Sequence, residues 1–424
     1  MGGGSSIFKR KNRISLFDAI TVLLISYITI SSVFPPLRVL FNNTLAVTIS
    51  MLLWLIITLI KKPSFYLKPT IQRLITILFI IYTFIVPYLF GNQVIGNRYL
   101  ALAPIFFLYI VYEYNAKFNQ SINNLRIIKL TIPFAIITLI TTMQALLLNP
   151  SVSRRIKSSG EYSINLLSQG IGGYEFIYFL VLVFPVLMYL TFFSDSFKKK
   201  HQRLILISLS ILVFAAIILS NYFTALIVVI SSILIMLLIR FIKKHKAFAG
   251  LLLIFGIIII LLVGNNLAIF ILDWMYGWVG NGLTADRILE MKYSILYGDD
   301  QIVSTSRWDL IRVSMAAFFN NPVFGTIAAV QSNVLSFETS AGQHSHLIDT
   351  FAFLGLMPGL AQIYIIFQPY VRRLKNSLAI ELIIPVFYSI VMIFTFNTVT
   401  PSMGFAVGLL VPTVYDLENR MKHK

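Results

Sequence analysis

The chain contains no cysteine, so disulfides, thiolate chemistry and cysteine-ligated metals are excluded. Charged residues are also scarce: they make up 12% of the 424 residues, where soluble proteins have about 25%. Hydrophobic residues make up 58% of the chain. One soluble core could not hide so much apolar surface, so the composition predicts a polytopic membrane protein.

Apolar runs of about 20 residues, the length needed to cross the hydrocarbon core, recur along the chain. We place twelve predicted transmembrane helices at 14–34, 44–60, 71–90, 98–113, 127–148, 174–193, 204–220, 224–241, 248–263, 347–369, 378–397 and 400–415. The sequence therefore predicts an all-α membrane protein in which residues 1–424 form a single integral membrane domain. Between the ninth and tenth helices, 264–346 is expected to form a large folded extracytoplasmic loop.

The distribution of Lys and Arg predicts the orientation, because basic residues concentrate in cytoplasmic segments. If the N-terminal "KRKNR" is cytoplasmic, the basic clusters at 61–62, 197–203, 240–246 and 372–375 fall on the same side. Both termini are then cytoplasmic, as expected for a multi-pass protein of the bacterial cytoplasmic (inner) membrane. This topology accounts for most of the net charge of +18, so the lipid bilayer is an expected partner and a nucleic acid is not.

The basic residues on the outer side run against this bias, and they indicate an anionic ligand. Arg38 and Arg98 stand singly in short turns and are expected to anchor at the interface. The others lie in 149–173 and 264–346. The candidate phosphate-binding residues among them are Arg154, Arg155, Arg307 and Arg312. A solvated loop, a lipid-headgroup contact or a plain interface anchor are the alternative interpretations.

A helix is predicted at the end of the outer loop. Ser306 and Asp309 have the spacing of a capping box, and Pro322 closes the far end. Arg307 then lies in the first turn, with Arg312 further along. A cation is unfavourable at a helix N-terminus, and a bound anion would reverse that sign, because free N–H groups and a guanidinium would act on it together.

Two of the five histidines, His344 and His346, follow this helix and are two residues apart. A structural role is one interpretation of both. A metal site with Asp349 as third ligand is another, although no cysteine or further acid has ligand spacing, so no metal or other cofactor is expected. Asp349 is equally placed to orient a histidine ring.

Taken together, these residues resemble a known family. The order Arg307, Pro322, Gly325, His344 and Gly355 is similar to that of the O-antigen ligase and O-antigen (capsular polysaccharide) polymerase superfamily, and "LGLMPG" matches its G-x-x-G ending. The matching motifs cover about fifty residues, while the twelve spans and the long outer loop are also similar. The resemblance implies a C-type glycosyltransferase-like fold.

One departure from the family concerns a Ser-Arg pair, which the family carries where a helix re-enters the membrane from outside. The corresponding stretch, "LSNYFTALI" at 219–227, has no arginine. We expect Arg154 or Arg155 to supply the missing charge.

The resemblance implies metal-independent inverting glycosyl transfer on the extracytoplasmic face. The donor would be a glycan on undecaprenyl pyrophosphate and the acceptor a second glycan, with other membrane proteins of polysaccharide assembly as further partners. His344 is the expected general base and His346 the second choice, while arginines, Arg307 first, would neutralise the pyrophosphate. Polymerase ranks first, and ligase, with lipid A core or another acceptor, is the alternative. A non-enzymatic lipid-linked glycan transporter ranks last, because the predicted spans are almost bare of charge.

Overall fold

The computed structural model describes residues 15–40, 43–156, 161–194, 197, 199–245, 264–277, 283–297, 307–328, 341, 345–375 and 379–422. Within these ranges the chain forms helices and no strand. In the first half of the chain the helices are α1 (Leu16–Val33), α2 (Pro35–Leu40), α3 (Asn43–Lys61), α4 (Ser64–Leu67), α5 (Ile71–Leu89), α6 (Gln93–Lys117), α7 (Ser121–Leu148), α8 (Val152–Arg155), α9 (Glu161–Ser168), α10 (Tyr174–Phe192), α11 (Lys200–Leu219) and α12 (Phe223–Lys244). In the second half they are α13 (264–277), α14 (Leu283–Tyr297), α15 (Arg307–Asn320), α16 (His346–Leu354), α17 (Leu356–Lys375), α18 (Ile380–Phe396), α19 (Pro401–Gly404) and α20 (Val411–Lys422).

The first eight predicted spans each coincide with a helix that is long and apolar enough to cross a membrane: α1, α3, α5, α6, α7, α10, α11 and α12. The chain is therefore an all-α protein of the multi-pass membrane type, as predicted. The ninth predicted span, 248–263, lies outside the described residues. The eleventh corresponds to α18, an apolar helix of 17 residues.

Helices α6 and α10 form the centre of the bundle. In their apolar windows 67% and 72% of the residues are buried, against at most 39% in the other six candidate spans. The outer helices expose large apolar side chains, such as Leu204, Ile205 and Ile211 of α11, each at least 63% exposed. Continuous apolar surface of this kind is unfavourable in water, so these faces suit contact with lipid.

Ion pairs join the helix ends at one face of the bundle. Lys61 at the end of α3 contacts Asp18 at the start of α1 at 2.5 Å, and Arg73 at the start of α5 contacts Glu113 near the end of α6 at 3.1 Å. We call this the basic face, and it also holds Arg373 of α17. It is the face that the Lys and Arg pattern predicts to be cytoplasmic.

The prediction of one continuous helix over 347–369 is wrong. The structure has two helices there, α16 and α17, which meet at Gly355. Gly355 has a φ of +86°, in the left-handed region that helices of L residues do not enter. The predicted twelfth span coincides with a continuous helical stretch, in which a π-helical turn, Phe405–Leu410, joins α19 to α20.

The segment predicted as an outer loop contains α13, α14 and α15. On α13, large apolar side chains at helical spacing are exposed: Leu267, Phe270, Ile271 and Trp274. An ion pair of 2.6 Å between Asp273 and Lys292 ties α13 to α14. An exposed stripe of aromatic and apolar side chains along a helix suits the membrane interface.

Candidate active site

The candidate site is organised by the packing of α15 against α16. The Ser314 hydroxyl donates to Asp349 Oδ1 at 2.6 Å, and both side chains are buried. Four residues further along α15, the Phe318 ring meets Phe351 edge-on at 5.5 Å between centroids. Because the contacts advance in the same direction along both helices, α15 and α16 run parallel, and their N-terminal ends lie on the same side.

Backbone contact without intervening side chains locks the other ends of these helices together. The Leu356 N–H donates to the Pro322 carbonyl at 2.8 Å. A Cβ on Gly325 would lie 2.4 Å from a backbone carbon of α16, and one on Gly355 would lie 2.1 Å from the Val323 carbonyl oxygen. Gly325 also has a positive φ, of +63°. Three residues of the family-like pattern thus meet in one contact, which only glycine permits at two positions.

We expect Gly355→Ala to destabilise the protein by about 2–4 kcal/mol, because the alanine must adopt a left-handed conformation and also displace the Val323 backbone. Thermal unfolding of the purified protein in detergent measures the loss. Two control variants separate the cost of the left-handed conformation from the cost of the close contact with Val323. Gly91→Ala has the φ penalty alone, since φ is +71° with nothing within 4 Å, and Gly277→Ala also has open space. Equal melting of Gly355→Ala and Gly91→Ala would show that the close contact contributes nothing.

His346 is the first residue of α16 and is only 2% exposed. Its backbone N–H donates to the Asn397 carbonyl at 3.0 Å, and its imidazole ring meets the Phe394 ring edge-on at 5.7 Å between centroids. The Ser345 hydroxyl caps the helix by accepting from the Ile348 N–H at 3.2 Å. These contacts match a structural role for His346. A role as general base would require that the sugar acceptor reach the ring.

The ring of His346 is held in its neutral form. Burial, and after it the positive charge of Arg98, lowers the pKa of His346 well below the ordinary histidine value. Nε2 is buried, and within the described ranges it has no hydrogen-bond partner. Arg98, expected to be an interface anchor, instead lies over the Phe353 ring at 4.9 Å. The structure places Arg98 in the second turn of α6 rather than in a short turn. Its predicted position on the outer side, against the charge bias, was the sequence signal that would have included it in the site.

His344 and Arg307, the residues that the sequence predicts to be catalytic, lie at the edge of the described ranges. His344 lies outside the described residues, as does the Arg307 side chain, and so does Ser306 of the expected capping box. In the described backbone, α15 begins at Arg307 and α16 begins at His346, two residues after His344 in the sequence. Asp349 could orient the His344 ring only if the helix begins after His344, and α16 does. Arg312 is 76% exposed and contacts Asp309 on its own helix at 3.3 Å.

Arg154 lies against the stretch in which the family carries an arginine. Its Nη2 donates to the Asn221 carbonyl, and its guanidinium lies 5.0 Å from the centroid of the Tyr222 ring. Both partners belong to 219–227, which has no arginine of its own. Arg155 is the next residue, at the end of α8. Of the two expected substitutes for the missing charge, the structure brings Arg154 to this stretch.

The tyrosine that Arg154 contacts belongs to a cluster with two tyrosines of α10. The Tyr222 ring lies 5.5 Å from that of Tyr174 and 5.9 Å from that of Tyr178. Next to Tyr174, Glu175 forms an ion pair with Arg38. The cluster fixes the aromatic face that the Arg154 guanidinium contacts, an arrangement that suits a planar cation. Arg38, like Arg98, was expected only to anchor at the interface.

The segment 397–402 connects the two groups of residues. At one end the Asn397 carbonyl accepts from His346, and at the other the Ser402 hydroxyl donates to the Glu175 carbonyl at 3.1 Å. Five residues span at most about 18 Å. The His346 and Glu175 groups therefore lie on the same face, opposite the basic face, and we call this the site face.

Among the residues the structure describes, no group of three His, Asp or Glu side chains could hold a metal ion. Asp349, considered above as a third ligand, accepts from Ser314. Compared with known proteins, the chain matches no family model and no curated protein.

Proposed function

We propose that the protein is a polysaccharide polymerase. It joins undecaprenyl-pyrophosphate-linked glycan repeats by metal-independent inverting glycosyl transfer on the outer face of the bacterial cytoplasmic membrane. The observation that carries this proposal is the parallel packing of α15 on α16, held by Pro322, Gly325 and Gly355. This packing brings the start of α15 beside the start of α16.

Helix geometry supports the pairing of Arg307 with His344. The hydrogen bond between Ser314 and Asp349 fixes the position of α15 along α16. At 1.5 Å rise per residue, position 307 is about 10 Å before Ser314, while His346 is about 4.5 Å before Asp349. His344 precedes His346 by two residues in the sequence and lies outside the described ranges. The starts of α15 and α16 both lie beyond the buried contact, towards the site face, which is where the proposal puts the lipid pyrophosphate and the acceptor.

The proposed chemistry uses these two groups and Arg154. An acceptor hydroxyl oxygen attacks the anomeric carbon of the donor, and the bond from that carbon to the phosphate oxygen breaks. The lipid pyrophosphate leaves with the electron pair. His344 takes the proton of the hydroxyl. Arg307 neutralises the charge that develops on the leaving group, and Arg154, oriented by Tyr222, binds the donor pyrophosphate.

Two alternative functions differ from a polymerase: a ligase in its acceptor, and a transporter in where its charged residues lie. A ligase would use the same chemistry with lipid A core or another glycan acceptor. A transporter would require ionisable groups inside the spans. In the candidate spans, the acidic residues instead lie near helix ends, Asp18 and Glu175 in the first turns of α1 and α10 and Glu113 close to the end of α6.

Reconstitution with a lipid-pyrophosphate oligosaccharide tests the proposal. The expected product is a ladder of glycans in steps of one repeat, resolved by gel electrophoresis. Transfer of a single glycan to an added acceptor, with no ladder, would assign the ligase instead. Absence of any transfer with either acceptor, from correctly folded protein, would overturn the enzymatic function.

Glycan transfer is expected to survive excess EDTA, because guanidinium groups supply the positive charge that a metal supplies in other phosphate-releasing enzymes. The ladder assay, run with and without the chelator, measures this directly. Product loss that one divalent ion restores would contradict the metal-independent mechanism.

A further inference from the structure

A cavity of about 650 Å³ opens on the basic face, between the start of α5, the end of α6, the end of α17 and α20. This volume lies within the range of small-molecule sites. Its lining includes four basic residues, Arg73, Lys117, Arg372 and Arg373. It also includes two acidic residues, Glu113 and Asp416. The lining therefore has more positive than negative charge.

Two of the four cations are fixed in the wall. Arg73 is 2% exposed, and it contacts Glu113 at 3.1 Å and stacks on the Phe65 ring at 3.5 Å. Arg373 donates to the Tyr112 hydroxyl at 2.7 Å, and that hydroxyl donates in turn to Asp416. The two acidic residues thus already interact with the wall, directly in one case and through a tyrosine in the other.

The other two cations provide the surplus charge. Lys117 and Arg372 are both exposed, and within the described part of the chain neither has an acidic partner at ion-pair distance. Lys117 contacts the Phe65 ring instead, at 5.7 Å from its centroid. Topology requires basic residues in solvated cytoplasmic segments, but it does not require them around a cavity with a buried arginine in its wall.

Exposed apolar side chains flank the cavity lining. Ile71, next to the lining residue Thr70, is 72% exposed, and Val371, next to Arg372, is 42% exposed. Apolar surface beside a basic cavity is the setting in which phosphate groups of the cytoplasmic leaflet meet a membrane protein. Guanidinium and ammonium groups with tyrosine hydroxyls between them are suited to phosphate oxygens.

We propose that this cavity binds a phosphate-bearing anion, either the headgroup of an acidic phospholipid or a soluble phosphate compound. Lys117 and Arg372 are its charged ligands, and Arg73 and Arg373 shape the wall. The site is on the face opposite Arg154 and the α15–α16 contact, so it is separate from the proposed glycan chemistry and stands without it.

The test compares two double variants that each remove two exposed cations from the basic face. Lys117→Gln with Arg372→Gln removes the two exposed cations of the cavity lining. Lys244→Gln with Lys375→Gln is the matched control, since both lysines are exposed and lie outside the lining. Thermal unfolding first establishes that both proteins are folded.

Each protein is placed in nanodiscs of phosphatidylcholine with or without phosphatidylglycerol, and native mass spectrometry counts the acidic lipid that is retained. In a parallel arm, calorimetry measures binding of inorganic phosphate to delipidated protein in detergent. The cavity variant is expected to bind about tenfold or more weakly than wild type, and the control to match wild type. Retention of phosphatidylglycerol without phosphate binding identifies a lipid headgroup, and phosphate binding identifies a soluble ligand. No binding by wild type in either arm, or equal loss in both double variants, would overturn the proposal.

Discussion

His344→Ala is expected to slow glycan transfer by roughly 10²–10⁴-fold, the usual contribution of a general base. The acceptor hydroxyl then loses its proton to water, while the arginines still hold the donor. Binding of the donor should therefore persist, and the defect should appear in kcat rather than in KM. Single-turnover transfer from the lipid-pyrophosphate donor, together with a donor-binding measurement, separates the two effects.

His346→Ala is the matched control, because it removes the neighbouring imidazole. His346 packs against Phe394 and is 2% exposed, so its loss should lower the melting temperature and cost the reaction less. If His346 is indispensable and His344 dispensable, the roles are reversed. If both are dispensable once folding is allowed for, the assignment of a histidine base fails.

The pH profile separates the two histidines a second way. A base must be unprotonated, so the rate falls as pH drops through its pKa. For a histidine with the ordinary value this acid limb lies near pH 6.5, to about one unit. Burial lowers the pKa of His346, so a limb set by His346 would be displaced to lower pH. We expect wild type to show an acid limb and His344→Ala to lose it.

Arg307→Ala is expected to reduce transfer by roughly 10²–10³-fold, the effect of removing one group that stabilises developing charge. The buried hydrogen bond that joins α15 to α16 is at Ser314, seven residues further on, so the fold should be retained. Arg307→Lys should recover little, because an ammonium group cannot reproduce the two parallel hydrogen bonds of a guanidinium. Rates are compared with Lys292→Ala, which removes another cation from the outer segment, one paired with Asp273.

Full activity of Arg307→Lys would reduce this residue to a generic charge, and full activity of Arg307→Ala would remove it from the mechanism. Arg154→Ala should act differently, by raising the KM for the donor with little change in kcat. Arg155→Ala is the comparison, since Arg155 belongs to the same short helix, whereas the contacts to Asn221 and Tyr222 described above are made by Arg154. Equal increases of the donor KM in Arg154→Ala and Arg155→Ala would contradict the assignment of Arg154 to the missing family position.

Much of the bundle could be predicted from the sequence, because the hydrocarbon thickness sets the length of an apolar helix and requires its backbone to bond within itself. That is why the first eight spans coincide with helices to within a few residues. The same criterion failed over 347–369. Apolar composition continues through Gly355, and the break there depends on the approach of Val323 from a segment about thirty residues away.

The sequence alone determined the features that depend on local composition and spacing: the all-α class, the first eight apolar helices, the start of a helix at Arg307, and the order of the motif residues. Only the tertiary structure decided which of those residues meet. It buried His346 against Phe394, brought Arg154 to Asn221 across 67 positions, and enclosed four cations from three helices around one cavity. These outcomes depend on how side chains far apart in the chain pack and pair. Periodicity and charge counts record the face of a helix but not its neighbour.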